Sequence, residues 1–296
     1  MKPIFFLRVS ALACLLLGSA SLKAADPAVP SSVSFEKEIE YGTVDGQHLL
    51  LNVAKPLKAG IHPAVLCIHG GGFRAGNRES YNALCIKLAE HGYVAITASY
   101  RFAPKYPFPA AVYDVKAAVR WARSHAKENG IDPERIGVTG GSAGGHLAQF
   151  LGLTPDFPQF EGSSGNPGVS SKVSCVVNFY GPSDFTKSYG KSVDAAEVLP
   201  LFLGGNLEEE PKRHIEASPL YWVTPLAAPT LCVHGTMDNY VAFEQADWLV
   251  DKLKAVKVEA TLLPMEGAMH GFKGEDAKKA EAALFEFFDR HLHPEK

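Results

Sequence analysis

The sequence predicts an α/β fold in which helices cover both faces of a mostly parallel central sheet. Short apolar segments rich in Val, Ile, Leu and Cys alternate with longer amphipathic segments along most of the 296 residues. Continuous apolar runs are typical of strands buried on both faces, and strand–helix alternation requires a parallel sheet between two helical layers. Hydrophobic residues make up 46% of the chain and charged residues 21%, which suits a protein with one large core.

The individual elements follow from periodicity and from their boundary residues. Residues 47–54 alternate less cleanly than the later runs and suit an early antiparallel strand. The apolar runs predicted as parallel strands are residues 64–69, 94–100, 136–139, 173–179, 230–234 and 259–263. The amphipathic segments predicted as helices are residues 80–91, 109–129, 243–254 and 276–292, the first two followed directly by glycine.

Residues 1–24 are predicted to be a secretory signal peptide. Two basic residues precede the apolar run at residues 9–17, and small residues follow it. This order is that of an export signal, and the run is too short to cross a bilayer. Cleavage after Ala20 and cleavage after Ala24 both fit. We therefore expect an exported protein, periplasmic or extracellular, with no stable membrane anchor.

The rest of the chain is interpreted as a short linker and one domain. Residues 25–34 contain prolines and a serine pair and are predicted to be the linker, and residues 35–296 are predicted to be the domain. Within it, residues 181–219 carry no clean period and are too long for an ordinary connection. We interpret them as a rim insertion that forms part of a substrate wall, with a surface loop lacking any such role as the alternative.

Charge and residue spacing exclude several classes of partner. The formal net charge is −3 and no dense Lys/Arg cluster occurs, whereas nucleic-acid binding needs a basic stripe. No pair of Cys or His residues two to four positions apart stands beside a second such pair, as a metal site would require, so neither a metal nor a cofactor is expected. The sequence does not indicate the oligomeric state.

Ser142 is the candidate nucleophile. It lies in Gly140-Gly141-Ser142-Ala143-Gly144, between an apolar strand and a helical segment. A strand that turns sharply into a helix exposes the serine on a strained backbone, and small residues two positions before and after are needed because neighbouring chains crowd the turn. The helix N-terminus also favours negative charge developing on the serine oxygen.

A glycine run follows the strand at residues 64–69, in His69-Gly70-Gly71-Gly72-Phe73. Consecutive glycines let backbone N–H groups face a ligand without obstruction by Cβ atoms. The amides of Gly71 and Gly72, joined by that of Ala143, are predicted to form an oxyanion hole. The G-x-x-x-x-G-K-[ST] phosphate loop and the dinucleotide-binding fingerprint are both absent.

A general base and an acid are expected downstream of the serine, in the order Ser, Asp or Glu, His. Asp238 lies just past a predicted strand, and His270 follows the last strand on a loop between glycines. Loops after parallel strands gather at one edge of the sheet, so these side chains can meet Ser142. His270 would accept the serine proton while Asp238 fixes its tautomer. Asp184 is the alternative acid, and the histidines interpreted as structural are His69, His146 and His234.

These motifs together resemble those of the hormone-sensitive-lipase-like branch of the α/β-hydrolases. The match runs from about Gly42 to the C-terminus and includes His69–Phe73, Tyr100–Pro104, Phe108–Ala111, Gly140–His146, His234–Asp238 and His270–Phe272. Gly140-Gly141 before the serine and His-Gly-Thr-x-Asp at the acid are closest in pattern to secreted bacterial acetylxylan and feruloyl esterase-like proteins. The resemblance implies the α/β-hydrolase fold and serine esterase activity.

The sequence also departs from the lipase-like members of that branch. The Asp-Pro-Leu motif is missing at Asp238, and the chain before His69 has no room for the usual helical cap. Little or no N-terminal cap is therefore expected. This puts long-chain lipids in doubt and suggests an open groove for a bulky or polymeric substrate.

The expected function is that of a serine carboxylic ester hydrolase acting through an acyl-enzyme. Short-chain or aromatic acyl esters are the expected substrates, with acetyl or feruloyl groups on plant polysaccharide as candidates. The residues expected to bind substrate are Phe73, Phe102, Tyr180, Tyr221, Trp222 and Met269. The alternatives are a prolyl-peptidase-like peptide or amide hydrolase and a catalytically silent hydrolase-fold binding protein.

Overall fold

The computed structural model describes residues 27–193 and 195–293. The predicted signal peptide lies outside the described residues. Within them, eight strands form one sheet in the order β1-β2-β4-β3-β5-β6-β7-β8. The strands are β1 (Val33–Val44), β2 (Gln47–Pro56), β3 (His62–Ile68), β4 (Val94–Ala98), β5 (Ile131–Gly141), β6 (Cys175–Phe179), β7 (Thr230–Gly235) and β8 (Ala260–Met265).

Pairing in the sheet is antiparallel at one edge and parallel elsewhere. Strand β2 pairs antiparallel with both β1 and β4, and every other neighbouring pair is parallel. The predicted antiparallel strand and the mostly parallel sheet are confirmed. Since the carboxyl ends of the parallel strands lie at one edge, the loops that follow them meet there.

Helices pack on both faces of the sheet. They are α1 (Asn82–Glu90), α2 (Ala110–Ser124), α3 (Ala126–Asn129), α4 (Ala143–Leu153), α5 (Pro158–Glu161), α6 (Ala195–Leu203), α7 (Pro211–Glu216), α8 (Glu244–Ala255) and α9 (Gly274–Leu292). None of these helices in the described chain combines the length and apolar character needed to cross a bilayer.

Alternate residues of the central strand β3 pack into two different hydrophobic cores. Leu66 belongs to the core that contains Val115 of α2, whereas Val65 belongs to the core that contains Phe288 of α9. Side chains of a strand point alternately to opposite faces, so a strand covered on both sides must be apolar throughout. This explains the unbroken apolar run from which β3 was predicted.

Several boundaries differ from the sequence-based expectation. Strand β1 was not predicted, and its first two residues fall inside the predicted linker. The single helix expected at residues 109–129 is divided at His125 into α2 and α3. Residues 181–219 contain the short helices α6 and α7, and α6 carries Pro200 within it. Short helices with an internal proline give no sustained period, which explains the irregular sequence of this segment.

Candidate active site

Ser142 occupies the turn between β5 and α4. Its backbone has φ 57° and ψ −122°, a conformation that is costly for any residue with a Cβ atom. The turn is held because Ser142 N–H donates to the Phe179 carbonyl at 2.9 Å and the His146 N–H donates to the Ser142 carbonyl at 3.0 Å. At this strained turn Ser142 is half-buried and borders an open cavity.

The glycines that flank Ser142 are required by close backbone contacts. A Cβ atom on Gly140 would lie 2.4 Å from the carbonyl group of Gly144, and a Cβ atom on Gly144 would lie 2.1 Å from the Ile68 carbonyl oxygen. Both distances are far below van der Waals contact, and the neighbouring atoms are backbone. The structure thereby accounts for the spacing that singled out Ser142 in the sequence.

A continuous chain of hydrogen bonds joins Ser142 to His270 and Asp238. His270 Nε2 lies 3.0 Å from Ser142 Oγ, and His270 Nδ1 lies 2.8 Å from Asp238 Oδ2. The serine follows β5, the aspartate follows β7 and the histidine follows β8. With its proton on Nδ1, the imidazole donates to the carboxylate and can accept the serine proton at Nε2.

Asp238 is held by donors on both of its oxygens. Oδ1 accepts hydrogen bonds from the Tyr240 N–H at 2.9 Å and the Val241 N–H at 3.0 Å. His234 Nε2 lies 3.3 Å from Oδ2 and 2.8 Å from the Val241 carbonyl oxygen. Burial alone would raise the pKa of Asp238, but the hydrogen bonds from His234, His270 and Val241 outweigh it and hold this pKa well below its usual range. The carboxylate is therefore ionised beside His270.

The alternative acid, Asp184, is engaged elsewhere. Its Oδ1 accepts hydrogen bonds from the backbone N–H of Thr186 at 2.9 Å and from its hydroxyl at 2.6 Å. Its Oδ2 lies 3.1 Å from Lys187 Nζ. Asp184 thus caps a short helical turn in residues 181–219, called the rim segment below, and Asp238 is the carboxylate that contacts His270.

His69 and His146 make packing and backbone contacts. His146 Nε2 donates to the Ala217 carbonyl at 2.8 Å, and burial lowers the pKa of His146 to about 3, which keeps the ring neutral. The His69 ring stacks on Tyr100 with centroids 4.4 Å apart, and burial also lowers the pKa of His69. Both residues lie near the site without joining the chain of hydrogen bonds at Ser142.

Two tyrosine rings flank the imidazole of His270. The Tyr180 ring meets it edge-on with centroids 4.8 Å apart, and the Tyr240 ring lies nearly parallel to it at 5.5 Å. Tyr240 was not predicted as a site residue, and the signal that could have found it is its position two residues after Asp238. Because the rings restrict the imidazole on two sides, they favour the orientation that faces Ser142.

The glycine loop after β3 presents backbone amides beside the serine. Gly71 and Gly72 have φ values of 120° and 59°, and a Cβ atom on Gly71 would lie 2.0 Å from the Ala75 carbonyl oxygen. Within the described residues 27–193 and 195–293, neither amide donates to a carbonyl or a side chain. Ala143, the first residue of α4, also lies beside Ser142. These N–H groups are placed to hold an oxyanion.

The segment after β4 braces the glycine loop from behind. The Ala103 N–H donates to the Phe73 carbonyl at 2.9 Å, and the Tyr100 hydroxyl donates to the His69 carbonyl at 2.9 Å. Arg101 is fixed in turn by a buried pair with Asp114, whose oxygens lie 2.8 Å from the Arg101 backbone N and Nη2. The loop conformation is thus set by contacts on both of its ends.

Two cavities of very different size meet at Ser142. One measures about 20 Å³ and is bordered mainly by the rim segment, including Phe185, Val198 and Leu199. The other measures about 530 Å³, is open, and is bordered by the glycine loop, by His270 and by the rings of Tyr81, Tyr180 and Tyr240. The sequence predicted the rim segment as a substrate wall, but its individual lining residues carry no motif that could have identified them.

The six residues expected to bind substrate have different positions. Phe73 lines the small cavity and Tyr180 lines the large one. Phe102 packs edge-on against the rings of His69 and Tyr100, whereas Trp222 lines a separate cavity with Phe160. Tyr221 and Met269 are exposed and border neither cavity at Ser142. For these last four residues, aromatic or apolar character alone was a poor guide to position.

No cluster of three or more His, Cys, Asp or Glu side chains suited to a metal ion occurs among residues 27–193 and 195–293.

Comparison with known proteins shows the family of this chain. The family model BD-FAE matches residues 51–253. The chain belongs to the BD-FAE family. It is an α/β-hydrolase of the hormone-sensitive-lipase-like branch, as the sequence motifs indicated. The matched residues of this BD-FAE protein include the glycine loop, Ser142 and Asp238, while His270 lies beyond the matched range.

Known esterases resemble this BD-FAE protein in sequence and in structure. Esterase LipC of Mycobacterium tuberculosis is 33% identical over 80% of this chain and 59% of its own length. A truncated carbohydrate esterase from gut microbiota has a TM-score of 0.82 at 26% identity, covering 91% of this chain and 100% of its own. Thermogutta terrifontis esterase 2 phosphonylated by sarin has a TM-score of 0.76 at 30% identity, covering 89% of this chain and 96% of its own. The chain spans about half the length of the curated relatives it matches.

Proposed function

We propose that this BD-FAE family protein is a serine carboxylic ester hydrolase that acts through an acyl-enzyme on Ser142. The observation that carries the proposal is the continuous chain from Ser142 Oγ through His270 to Asp238, with contacts of 3.0 and 2.8 Å. The amides of Gly71 and Gly72 beside it, which donate to no group among the residues that the structure describes, supply the donors that an acyl-transfer reaction requires. LipC and the structural neighbours named above are esterases, which supports the same reaction class.

The first half of the reaction forms the acyl-enzyme. Ser142 Oγ attacks the ester carbonyl carbon while its proton passes to His270 Nε2. The carbonyl oxygen becomes an oxyanion, which the amides of the glycine loop and Ala143 stabilise by about 3 kcal/mol per donor. Asp238, ionised at neutral pH, stabilises the imidazolium. His270 then gives its proton to the alcohol oxygen as the bond between acyl carbon and alcohol breaks.

The second half releases the acid. A water molecule transfers one proton to His270 Nε2 and its oxygen attacks the acyl carbon. The same amides hold the second oxyanion. The bond to Ser142 Oγ then breaks as the serine recovers its proton from His270, and the carboxylic acid leaves.

We infer further that the alcohol part of the ester is a carbohydrate. The large cavity is open and bordered by three tyrosine rings, and such rings offer flat apolar faces beside a polar hydroxyl. The gut-microbiota neighbour is named a carbohydrate esterase. Acyl groups borne by plant polysaccharide, acetyl or feruloyl, are therefore the proposed substrates.

The proposed nucleophile is tested by replacing Ser142 with Ala. We expect kcat for p-nitrophenyl acetate to fall by up to about 10⁶-fold, because the nucleophile is lost, while circular dichroism stays unchanged. Ser32→Ala, a change at an exposed turn, serves as the matched control and should retain full activity. A fluorophosphonate probe should label the wild type on Ser142 alone. Turnover retained by Ser142→Ala, or labelling at another residue, would contradict the proposal.

We also propose that the protein is exported. The support is the sequence order of basic, apolar and small residues within positions 1–24. Mass spectrometry of the protein recovered outside the cytoplasm of a producing cell should show a new N-terminus after Ala20 or Ala24. A full-length chain confined to the cytoplasm is the opposing result.

A further inference from the structure

The large cavity at Ser142 has a permanently charged side chain on its border, that of Arg74. Within the described part of the chain, the other residues that border this cavity have no charged side chain apart from His270, which can titrate, and none of them is an aspartate or a glutamate. A guanidinium group keeps its charge at every pH at which proteins are studied. An ester bound at Ser142 therefore meets a fixed positive charge in this cavity.

His270 places the alcohol part of an ester in the large cavity. In the proposed reaction the imidazole gives its proton to the departing alcohol oxygen, so the alcohol lies on the same side of the serine as His270. Of the two cavities at Ser142, the large one is bordered by both His270 and Arg74, and the small one by neither. Arg74 is thus on the side of the alcohol.

The Arg74 side chain lies where the glycine loop meets helix α6 of the rim segment. A Cβ atom on Gly72 would lie 3.8 Å from Arg74 Nε and 3.4 Å from Val198 Cγ2. The guanidinium group is therefore close to one of the amides that are predicted to hold the oxyanion. A substrate group bound to Arg74 would belong to the sugar that carries the ester or to its neighbour, and not to a remote part of a polymer.

A carboxylate of the chain itself contacts this guanidinium group. Arg74 Nη2 lies 2.9 Å from Glu197 Oε1, and the two side chains are 37% and 69% exposed. An ion pair so exposed to water contributes little to stability, so a second carboxylate can replace that of Glu197 at small cost. The structure thus shows the kind of group that Arg74 accepts.

We propose that Arg74 binds a carboxylate on the alcohol part of the substrate, and that the preferred substrates are esters of carbohydrates that contain a uronic acid. The planar fork of a guanidinium group matches the two oxygens of a carboxylate. The inference rests on the proposed hydrolysis of esters at Ser142 and narrows the alcohol part from carbohydrates in general to acidic ones. A neutral sugar can enter the same cavity but lacks this contact.

A matched pair of substrates tests the proposal on the wild-type protein. One is a methyl glucuronoside with an acetyl ester on the ring hydroxyl next to the carbon that bears the carboxylate. The other is the corresponding glucuronamide, in which a neutral carboxamide of similar size replaces the carboxylate. We expect kcat/KM for acetate release to be at least about tenfold higher for the acid, as one hydrogen bond to a charged group can provide. Raising the ionic strength from about 0.01 M to about 1 M should reduce this ratio. Equal kcat/KM values for acid and amide would overturn the proposal.

Two substitutions at the ion pair should have opposite effects if Arg74 binds the substrate. Arg74→Gln removes the charge, and we expect the ratio of acid to amide kcat/KM to fall at least about tenfold, mainly through a higher KM for the acid. Glu197→Gln removes the carboxylate that competes for Arg74, so the ratio should rise. If the ion pair only held the glycine loop against α6, the two substitutions would act alike. A ratio lowered by both of them therefore refutes the proposal.

Arg290→Gln is the matched control for Arg74→Gln. Arg290 also pairs with an exposed carboxylate, that of Glu259 at 2.8 Å, and it borders neither cavity at Ser142. Both substitutions change the net charge of the chain by the same amount, and we expect Arg290→Gln to keep the wild-type ratio. A ratio as low as that of Arg74→Gln would assign the preference to overall charge and contradict a site at Arg74. If thermal unfolding shows that Arg74→Gln does not fold, the exposed substitution Glu197→Gln decides by the direction of its effect.

The outcomes separate this inference from the proposed function. If the wild type hydrolyses no ester and the fluorophosphonate probe does not label Ser142, ester hydrolysis at Ser142 is wrong and the inference about Arg74 is wrong with it. If the probe labels Ser142 and p-nitrophenyl acetate is hydrolysed, but the acid has no advantage over the amide, the inference about Arg74 alone is wrong.

Discussion

Replacement of Asp238 by Asn tests the chain of hydrogen bonds at Ser142, because the structure fixes how the new amide must be oriented. Asp238 Oδ1 accepts the N–H groups of Tyr240 and Val241 at 2.9 and 3.0 Å, so the amide oxygen of the variant takes this position. The NH₂ group then takes the Oδ2 position, 2.8 Å from His270 Nδ1. A donor at that position requires Nδ1 to be the acceptor. The imidazole proton therefore moves to Nε2, where it faces Ser142 Oγ.

This change of tautomer removes the general base without disturbing the binding site. An imidazole with its proton on Nε2 cannot accept the serine proton, and the wrong tautomer costs about 10⁴ in kcat. That loss corresponds to about 5.5 kcal/mol of activation free energy, at about 1.36 kcal/mol for each factor of ten. Asp238 is buried and borders neither cavity, so KM should change little.

The assay compares kcat and KM on p-nitrophenyl acetate for the wild type, Asp238→Asn and Asp184→Asn. Asp184 is the matched control, because it is an equally buried carboxylate that contacts Lys187 and Thr186 instead of His270. We expect Asp184→Asn to keep kcat within about tenfold of the wild type. The reasoning is refuted if Asp238→Asn keeps more than about a tenth of the wild-type kcat, or if Asp184→Asn loses more activity than Asp238→Asn.

The serine turn and the surroundings of His270 give three further predictions. Gly144→Ala should lower the free energy of unfolding in urea by about 3 kcal/mol or more, because its Cβ would lie 2.1 Å from the Ile68 carbonyl oxygen; an unchanged midpoint contradicts this. Tyr240→Ala should lower kcat about fivefold and shift the pH–rate profile. Tyr240→Phe keeps the ring beside His270 and should therefore keep the wild-type kcat and the wild-type pH–rate profile. Equal behaviour of the two variants contradicts a role for the ring. The pKa of Asp238 lies lower in the folded chain than its unfolded value of about 3.9, so its charge stabilises the fold above that pH and this contribution fades as pH falls. The difference in unfolding free energy between the wild type and Asp238→Asn should therefore shrink below pH 4. A difference that widens below pH 4 contradicts a lowered pKa of Asp238 in the folded chain.

Most of the sheet was predictable because its central strands are buried on both faces. The strands β3, β4, β6 and β7 consist mostly of buried apolar residues, and no helical period competes with them. Strand β1 was missed for a physical reason. Its register with β2 shifts twice, between Glu36 and Ile39 and between Glu40 and Gly42, and such bulges interrupt the alternation by which an edge strand is recognised.

The contacts between Ser142, His270 and Asp238 were predictable because local chemistry and chain order constrain these residues. Ser142 needs its flanking glycines, and Asp238 and His270 must follow strands that end at the same edge. The residues that border the cavities at Ser142 obey no comparable local rule. Leu199 borders the small cavity together with Ser142, whereas Trp222, a more conspicuous residue in the sequence, borders another cavity.

The residues of the proposed reaction and the residues that border the small cavity are held in place by different kinds of contact. The distances between Ser142, His270 and Asp238 are set by the ends of β5, β7 and β8, which the hydrogen bonds of the sheet hold in register. The wall of the small cavity is instead held by side-chain packing of the rim segment, such as the stacking of Phe73 on Phe202 at 3.9 Å between centroids. A change at Leu199 can alter the small cavity without moving any strand end. Substitutions in the rim segment should therefore change selectivity among ester substrates more than they change kcat for p-nitrophenyl acetate, since the strand ends hold Ser142, His270 and Asp238 in contact.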